Sequence, residues 1–336
     1  MSLRCPRRPP FTTASDIVLR LPLSLLSPGG ARGRLSILIF HRVLPRPDPL
    51  LPDEPDAVGF EAQMRWVRDW FNVLPLSRAI DMLYAGTIPP RALAITFDDG
   101  YADNEELAAP ILQRLGMTAT FFVSTGYLDG GCMWNDRVIE AVRACGSPEL
   151  DVGAIGLGRL ALGSVVQRRQ AIGTLLKGIK HFEQPRRDVA TDLIVVAAGG
   201  KPSPALMMQP EQVRRIHTLG MDIGAHTVTH PILARIGADA ARDEMARSKS
   251  ELERMIGEPV DLFAYPNGVP EQDYVSEHVA MARDCGFKAA VSTSWAVASA
   301  RSDRFQLPRF TPWDRTRLRY GVRLVNNYRR TEKTVG

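Results

Sequence analysis

The chain has 336 residues, 45% hydrophobic and 24% charged, ordinary proportions for a globular protein and enough length for one large α/β domain or two smaller ones. Its 42 Lys and Arg against 37 Asp and Glu leave a net charge of +5, a mild excess that suits acidic surroundings such as a membrane face or an anionic glycan; no nucleic-acid motif accompanies it, so nucleic acid is not an expected partner. Cys5, Cys132, Cys145 and Cys285 are too scattered for a zinc knuckle or a disulfide framework, which favours a reducing compartment, and the sequence has no run of about 20 apolar residues to span a membrane.

Residues 1–34 read as an N-terminal extension. Arg4, Arg7 and Arg8 make its start positive, and Asp16, Arg20 and Pro22 break up the apolar stretch around "IVLRLPLSLLSP". An export signal wants an unbroken apolar core of roughly 7 to 15 residues. Residues 15–27 are therefore expected to form a short amphipathic helix, packed on the domain or resting on a membrane. The expected location is the cytoplasm or a membrane periphery, with export left open.

Six short apolar runs follow: "LSILIF" (35–40), "LAITF" (93–97), "TATFFV" (118–123), "MDIGA" (221–225), "DLFAY" (261–265) and "KAAVS" (288–292). Each is continuous rather than alternating, as in strands buried on both faces. Helical patterns separate them at 59–71, 104–116, 210–220, 239–257 and 272–286, several closing on a glycine, the usual helix stop. This alternation predicts a parallel sheet, open or closed into a barrel. Residues 131–207 break the rhythm with "MWNDRVIEAVRACG", a Gly-rich stretch that reads as a hairpin, and two more helical patterns. They are too long for a plain loop and read as an inserted, mainly helical subdomain.

In parallel α/β folds the loops after the strands build the site. His41 follows the first run, Asp98 and Asp99 the second, "HTVTH" (His226 to His230) the fourth and "YPNG" (Tyr265 to Gly268) the fifth. Adjacent strand residues face opposite ways, so Asp98 and Asp99 are either both solvated or each turned to something that needs negative charge. Two imidazoles four residues apart in a turn can chelate a cation, or can be surface or capping groups. His181, His217 and His278 sit in helical patterns and read as solvated. Trp134 and Trp313 either stack on sugar rings or pack internally. Arg315, Arg317, Arg319, Arg323, Arg329 and Arg330 crowd the segment 313–336 among Leu318, Val322, Leu324 and Val325. That segment either lies on an anionic membrane as a peripheral contact or forms a solvated helix closing the fold.

Together, "TFDDGY" and "HTVTH" resemble the first two motifs of the polysaccharide deacetylases, carbohydrate esterase family 4, with their NodB-type homology domain; "FAYPNG" resembles a variant of the third. The resemblance covers about residues 35–312. It implies a distorted (β/α)7-type barrel with the insertion at 131–207. It further implies one divalent metal, zinc ahead of cobalt, nickel or iron, held by Asp99, His226 and His230. Asp98 would be the base, the Tyr101 N–H an oxyanion donor, and Tyr265, Pro266 and Asn267, with Trp134, substrate contacts. The family's late histidine is missing from "FQLPRF" (305–310), and its third-motif arginine is replaced by Ala264. "ILIFHRV" instead resembles the first strand of a permuted exopolysaccharide-deacetylase subgroup in which an early histidine is the acid. His41 would take that role, and Arg309 either tunes Asp98 or serves as an ordinary surface or ion-paired arginine. The implied activity is removal of N-acetyl groups from N-acetylhexosamine units of a glycan. The alternatives are an allantoinase-like amidase on a small substrate and a non-catalytic glycan-assembly protein.

Overall fold

The computed structural model describes residues 14–201, 204–311 and 313–336; Arg4, Cys5, Arg7 and Arg8 lie outside the described residues. In chain order, α1 (Ala14–Leu26), β1 (Arg34–Phe40), α2 (Ala57–Trp70), β2 (Asn72–Val73), α3 (Leu76–Tyr84) and β3 (Ala92–Phe97) come first. A π-helical turn, Asn104–Ala108, leads into α4 (Ala109–Arg114) and β4 (Thr120–Val123). Next are α5 (Trp134–Ala144), β5 (Glu149–Asp151), β6 (Arg159–Ala161), α6 (Val165–Ile179) and α7 (Gln184–Ala197). The chain continues with α8 (Pro210–Thr218), β7 (Asp222–Ala225), α9 (Ala238–Ile256), β8 (Leu262–Ala264), α10 (Ser276–Asp284), β9 (Ala289–Val291), β10 (Ala298–Ser299) and α11 (Arg317–Asn327).

The six apolar runs become β1, β3, β4, β7, β8 and β9, adjacent in that order and all parallel. β2 adds to β3, and β10 runs antiparallel to the start of β1. The curl is completed by residues 307–310, which bridge β9 at Val291↔Leu307 and β1 at Leu38↔Phe310. The Leu307 N–H donates to the Ala290 carbonyl and the Phe310 N–H to that of Ile37. A seventh stave therefore closes the sheet into the expected distorted (β/α) barrel. It is too short and too polar to stand out as a strand in the sequence.

The pleat divides the strand residues between two cores. Leu35, Ile37, Ala92, Ala94, Phe122 and Ala264 belong to an inner cluster that α3 joins through Leu76, Ile80 and Leu83. α3 closes the strand-start end, where Ser77 donates its N–H and hydroxyl to Asp222. Glycine is needed at 224: a Cβ there would lie 2.4 Å from the Phe122 ring and 3.2 Å from the Leu262 carbonyl oxygen. The outer cluster is aromatic. Phe97 stacks on Phe121 at 4.9 Å and on Phe40 at 5.5 Å, and Phe60 meets Phe40 edge-on at 5.4 Å. Phe60 comes from α2, which is capped by the Asp56 carboxylate accepting from the Gly59 N–H and buries Phe60, Met64, Val67 and Trp70 at helical spacing.

The insertion has its own core, built on Val138, Val142, Leu150, Leu175, Ile179 and Ile194 of α5, α6, α7 and the β5–β6 hairpin. α11 docks by Tyr320 and Leu324, and the site of a Cβ on its Gly321 is 2.4 Å from the Leu19 side chain of α1. Arg317 pairs with Asp69 at 2.9 Å, while Leu318 and Val322 are exposed. Some expectations change. The helix expected from residue 104 opens as a π turn, the one expected from 272 starts at Ser276, and α3 was not anticipated. His278 is buried rather than solvated, because its Nδ1 accepts the Val275 N–H at the start of α10.

Phe60→Ala removes an aromatic packed on two others and should cost about 3–5 kcal/mol, read as a lower denaturant midpoint with little change in slope.

Candidate active site

The parallel strands bring their C-terminal ends to one rim, over a cavity of about 390 Å³. Asp98 keeps the inward parity of Ala94 and Thr96. Arg309, fully buried on the closing stave, meets it with both terminal nitrogens, Nη1–Oδ1 2.6 Å and Nη2–Oδ2 2.7 Å. Arg309 also donates to the Thr96 hydroxyl at 3.2 Å and the Ser292 carbonyl at 3.0 Å. Burial raises the Asp98 pKa, but Arg309 and His226 outweigh it and hold the carboxyl below its ordinary value.

Asp99 leaves the strand with φ +77°, so the two carboxylates diverge. Its Oδ1 lies 3.4 Å from the Nε2 of His226 and 3.4 Å from that of His230. One ligand atom from each of the three residues fits within 4.8 Å of the others. The His226 Nδ1 is 2.8 Å from the Ala264 carbonyl. A carbonyl can only accept, so Nδ1 carries a proton and Nε2 is the ring nitrogen turned toward Asp99. Burial opposes charge on His226, yet Asp98 and Asp99 keep its pKa above the ordinary value. Burial pushes His230 down to about 4 despite the attraction of Asp99, favouring the neutral ring that a metal requires. Asp99 itself is held low by both imidazoles and His41 against the opposing pull of burial.

The loop between the imidazoles is bent, not helical. Thr227 has φ +65° and His230 φ +54°, conformations that cost non-glycine residues of order 1–3 kcal/mol each. Glu244 of α9 stabilises this bend by accepting the Val228 N–H at 2.7 Å, the Thr229 N–H at 2.8 Å and the Thr229 hydroxyl at 2.7 Å.

His41 lines the cavity, and its carbonyl accepts the Asn104 amide from the π turn at 2.8 Å. Tyr101 is buried beside it with its hydroxyl on Asp136, 3.0 and 3.2 Å to the two oxygens. Among the described residues its N–H donates to no backbone carbonyl. Arg42 lies 4.7 Å above the Tyr101 ring and pairs with Asp103 at 2.8 Å. Trp134 and Asn267, the latter with φ +58°, also line the cavity. Tyr265 and Pro266 do not. The pleat turns Tyr265 away from the side of Ala264, so its ring stacks on Tyr274 at 4.0 Å and its hydroxyl donates to the Phe305 carbonyl. Pro266 is buried. Of the residues expected to contact substrate, these two thus lie away from the cavity lining. Trp313 packs on Trp295 at 5.0 Å, with Arg323 3.9 Å over it, and lines a neighbouring groove.

Glu54, Glu244 and Asp136 were not anticipated. Burial raises Glu54 and pushes Asp136 up to about 7. For Asp136 a signal existed, an acid in the first turn of a helix two residues after a tryptophan. Glu244, within the charged run of α9, offered none.

The profile of the family described as polysaccharide deacetylase matches residues 85–290, a span that begins after His41 and ends before Arg309. YxkH of Bacillus subtilis (strain 168), named as a polysaccharide deacetylase, is 23% identical over 278 residues, 82% of this chain and 70% of its own length. Among solved structures, the Streptococcus pyogenes deacetylase PplD in complex with acetate superposes with a TM-score of 0.55 at 19% identity, covering 83% of this chain and 92% of its own. IcaB from Ammonifex degensii gives 0.55 at 16% identity, covering 86% and 96%. These structural likenesses show a shared fold.

Arg309→Met leaves the Asp98 charge buried and unpaired. It should cost about 3–5 kcal/mol by chemical denaturation, and the double variant with Asp98→Asn should recover much of that loss. Asp136 makes a second prediction, this time on pH. Its folded pKa of about 7 lies above the ordinary 3.8, so between those values the folded state holds a proton that the unfolded chain has released, and stability falls as pH rises. The melting temperature of Asp136→Asn relative to wild type should climb from about pH 4 to pH 7 and then level off.

Proposed function

The chain belongs to the polysaccharide deacetylase family, hydrolases of carbon–nitrogen bonds, and from that premise we propose that it is a metal-dependent enzyme removing N-acetyl groups from N-acetylhexosamine units of a glycan. The observation that carries the reading is the convergence of Asp99, His226 and His230 on one point beside Asp98, at the edge of the cavity. Two imidazoles and a carboxylate suit a divalent ion with open positions. Zinc is the first choice, and cobalt, nickel or iron fit the same donors. When bound, such an ion supplies Lewis acidity to the acetyl carbonyl and lowers the pKa of a water molecule.

The chain's own groups account for the proton movements. Asp98, kept ionised and fixed in orientation by Arg309, accepts the proton of the attacking water. The Tyr101 N–H, given to no backbone carbonyl among the described residues, is the donor for the developing oxyanion. His41, across the cavity, gives a proton to the nitrogen as the C–N bond breaks. One amide and one water become acetate and a free amine.

Metal-loaded protein should release acetate from acetylated chito-oligosaccharides and stop when a chelator is added. The double variant His226→Ala/His230→Ala should lose the metal by elemental analysis. His41→Ala should keep the metal and lose about 10²–10⁴ in turnover, the usual contribution of a general acid. Wild-type turnover by His41→Ala across roughly pH 6 to 9 would remove His41 from the mechanism.

A further inference from the structure

The cavity has a second chemical character away from the metal-ligand cluster. Its far wall is the inserted subdomain, which contributes Lys177 from α6, Lys180 at the C-cap of α6 and Arg187 from α7. The two lysines are three residues apart, on one helical face. Arg187 is 5% exposed, its guanidinium lies 5.1 Å over the Trp134 ring, and its Nε is buried without a hydrogen-bond partner. Among the described residues none of these three cations makes an ion pair; the nearest acid to influence Arg187 is its chain neighbour Asp188, and burial depresses the arginine below its ordinary pKa. Glu54 and Asp136, the acids on the cavity outside the catalytic cluster, are raised by burial, against the pull of His41 and Arg42 on Glu54 and of Arg42 on Asp136. A buried guanidinium without a counter-charge is costly, and an anion entering the cavity would offset that cost.

We propose that the inserted helices build an anion subsite and that the substrate is an acidic glycan, an N-acetylhexosamine chain carrying an oxyanion, carboxylate or phosphate, away from the acetyl group. The inference rests on the deacetylase reading above and names its substrate class. Arg187 binds the oxyanion directly, and Lys177 and Lys180 draw it in from the cavity mouth. None of the three takes part in the chemistry, so their effect falls on KM and is weakened by salt.

The test measures acetate release by the metal-loaded enzyme from three probes: a neutral chito-oligosaccharide, an oligosaccharide alternating N-acetylglucosamine with glucuronate, and diacetylchitobiose 1-phosphate. Wild type should favour one or both anionic probes in kcat/KM by about tenfold or more, and which of them is favoured separates carboxylate from phosphate. Arg187→Gln should erase that advantage, read as a rise in KM for the anionic probe relative to the neutral one. Because Arg187 is buried, Lys177→Gln/Lys180→Gln on the more open helix face serves as a second variant and should reduce the advantage several-fold. Equal use of neutral and charged probes by wild type, or an advantage that survives both variants, overturns the subsite. If wild type releases acetate from none of the probes, the deacetylase reading fails instead. The subsite is then judged by equilibrium binding of the same probes, with the same preference and the same losses expected and their absence overturning it.

Discussion

The structure depends on one buried ion pair, Asp98 with Arg309. Taking both ions out of water costs several kcal/mol each, and Coulomb attraction returns that only when the geometry is good and the remaining donors are occupied. Here both carboxylate oxygens face the guanidinium fork, while the Thr96 hydroxyl and the Ser292 carbonyl take two of its three other N–H groups. The arginine sits on the stave that joins β9 to β1. Closing the barrel and orienting the carboxylate are therefore coupled through one contact.

Around that pair the chain accepts local strain to aim its donors. Asp99, Thr227, His230 and Asn267 all carry positive φ at the rim. Such backbone persists only where the surroundings over-determine it. Glu244 does so for the histidine loop, and the His226 Nδ1 contact with Ala264 fixes a ring that would otherwise choose between tautomers. The inner core meets the same demand differently. Small residues at 92, 94, 224 and 264 leave space for the Arg309 fork and for the Phe122 ring, over which the guanidinium lies at 5.5 Å.

Much of this was legible in the sequence because it is encoded by local pattern. Continuous apolar runs marked six staves, and short-range spacing marked Asp98, Asp99, His226 and His230 as neighbours at strand ends. What depends on contact through space was harder to read. The closing stave has a proline and an arginine where a strand signal would need apolar residues. Glu244 looks like any solvated acid of a charged helix until the loop it holds is seen. A motif gives membership of a loop and not the parity of each side chain, so it could not tell that Tyr265 and Pro266 lie off the cavity lining, and a helical pattern does not say which face is covered, so His278 reads as solvated when it is buried. The family match from 85 to 290 has a related blind spot. His41 and Arg309 lie beyond its two ends, although the fold brings both to the centre.

The position of the closing stave also governs how the molecule can be made. Asp98 and Arg309 are 211 residues apart in the chain. At about 5–20 residues per second of synthesis, the carboxylate leaves the ribosome about 10–40 s before its counter-ion. Until residues 307–310 arrive, β1 and, once residues 289–291 are made, β9 each lack their partner on the closing stave. The inserted helices, whose contacts lie mostly within residues 134–198, can assemble in the meantime. The Asp98–Arg309 contact at the rim forms only when the last stave arrives.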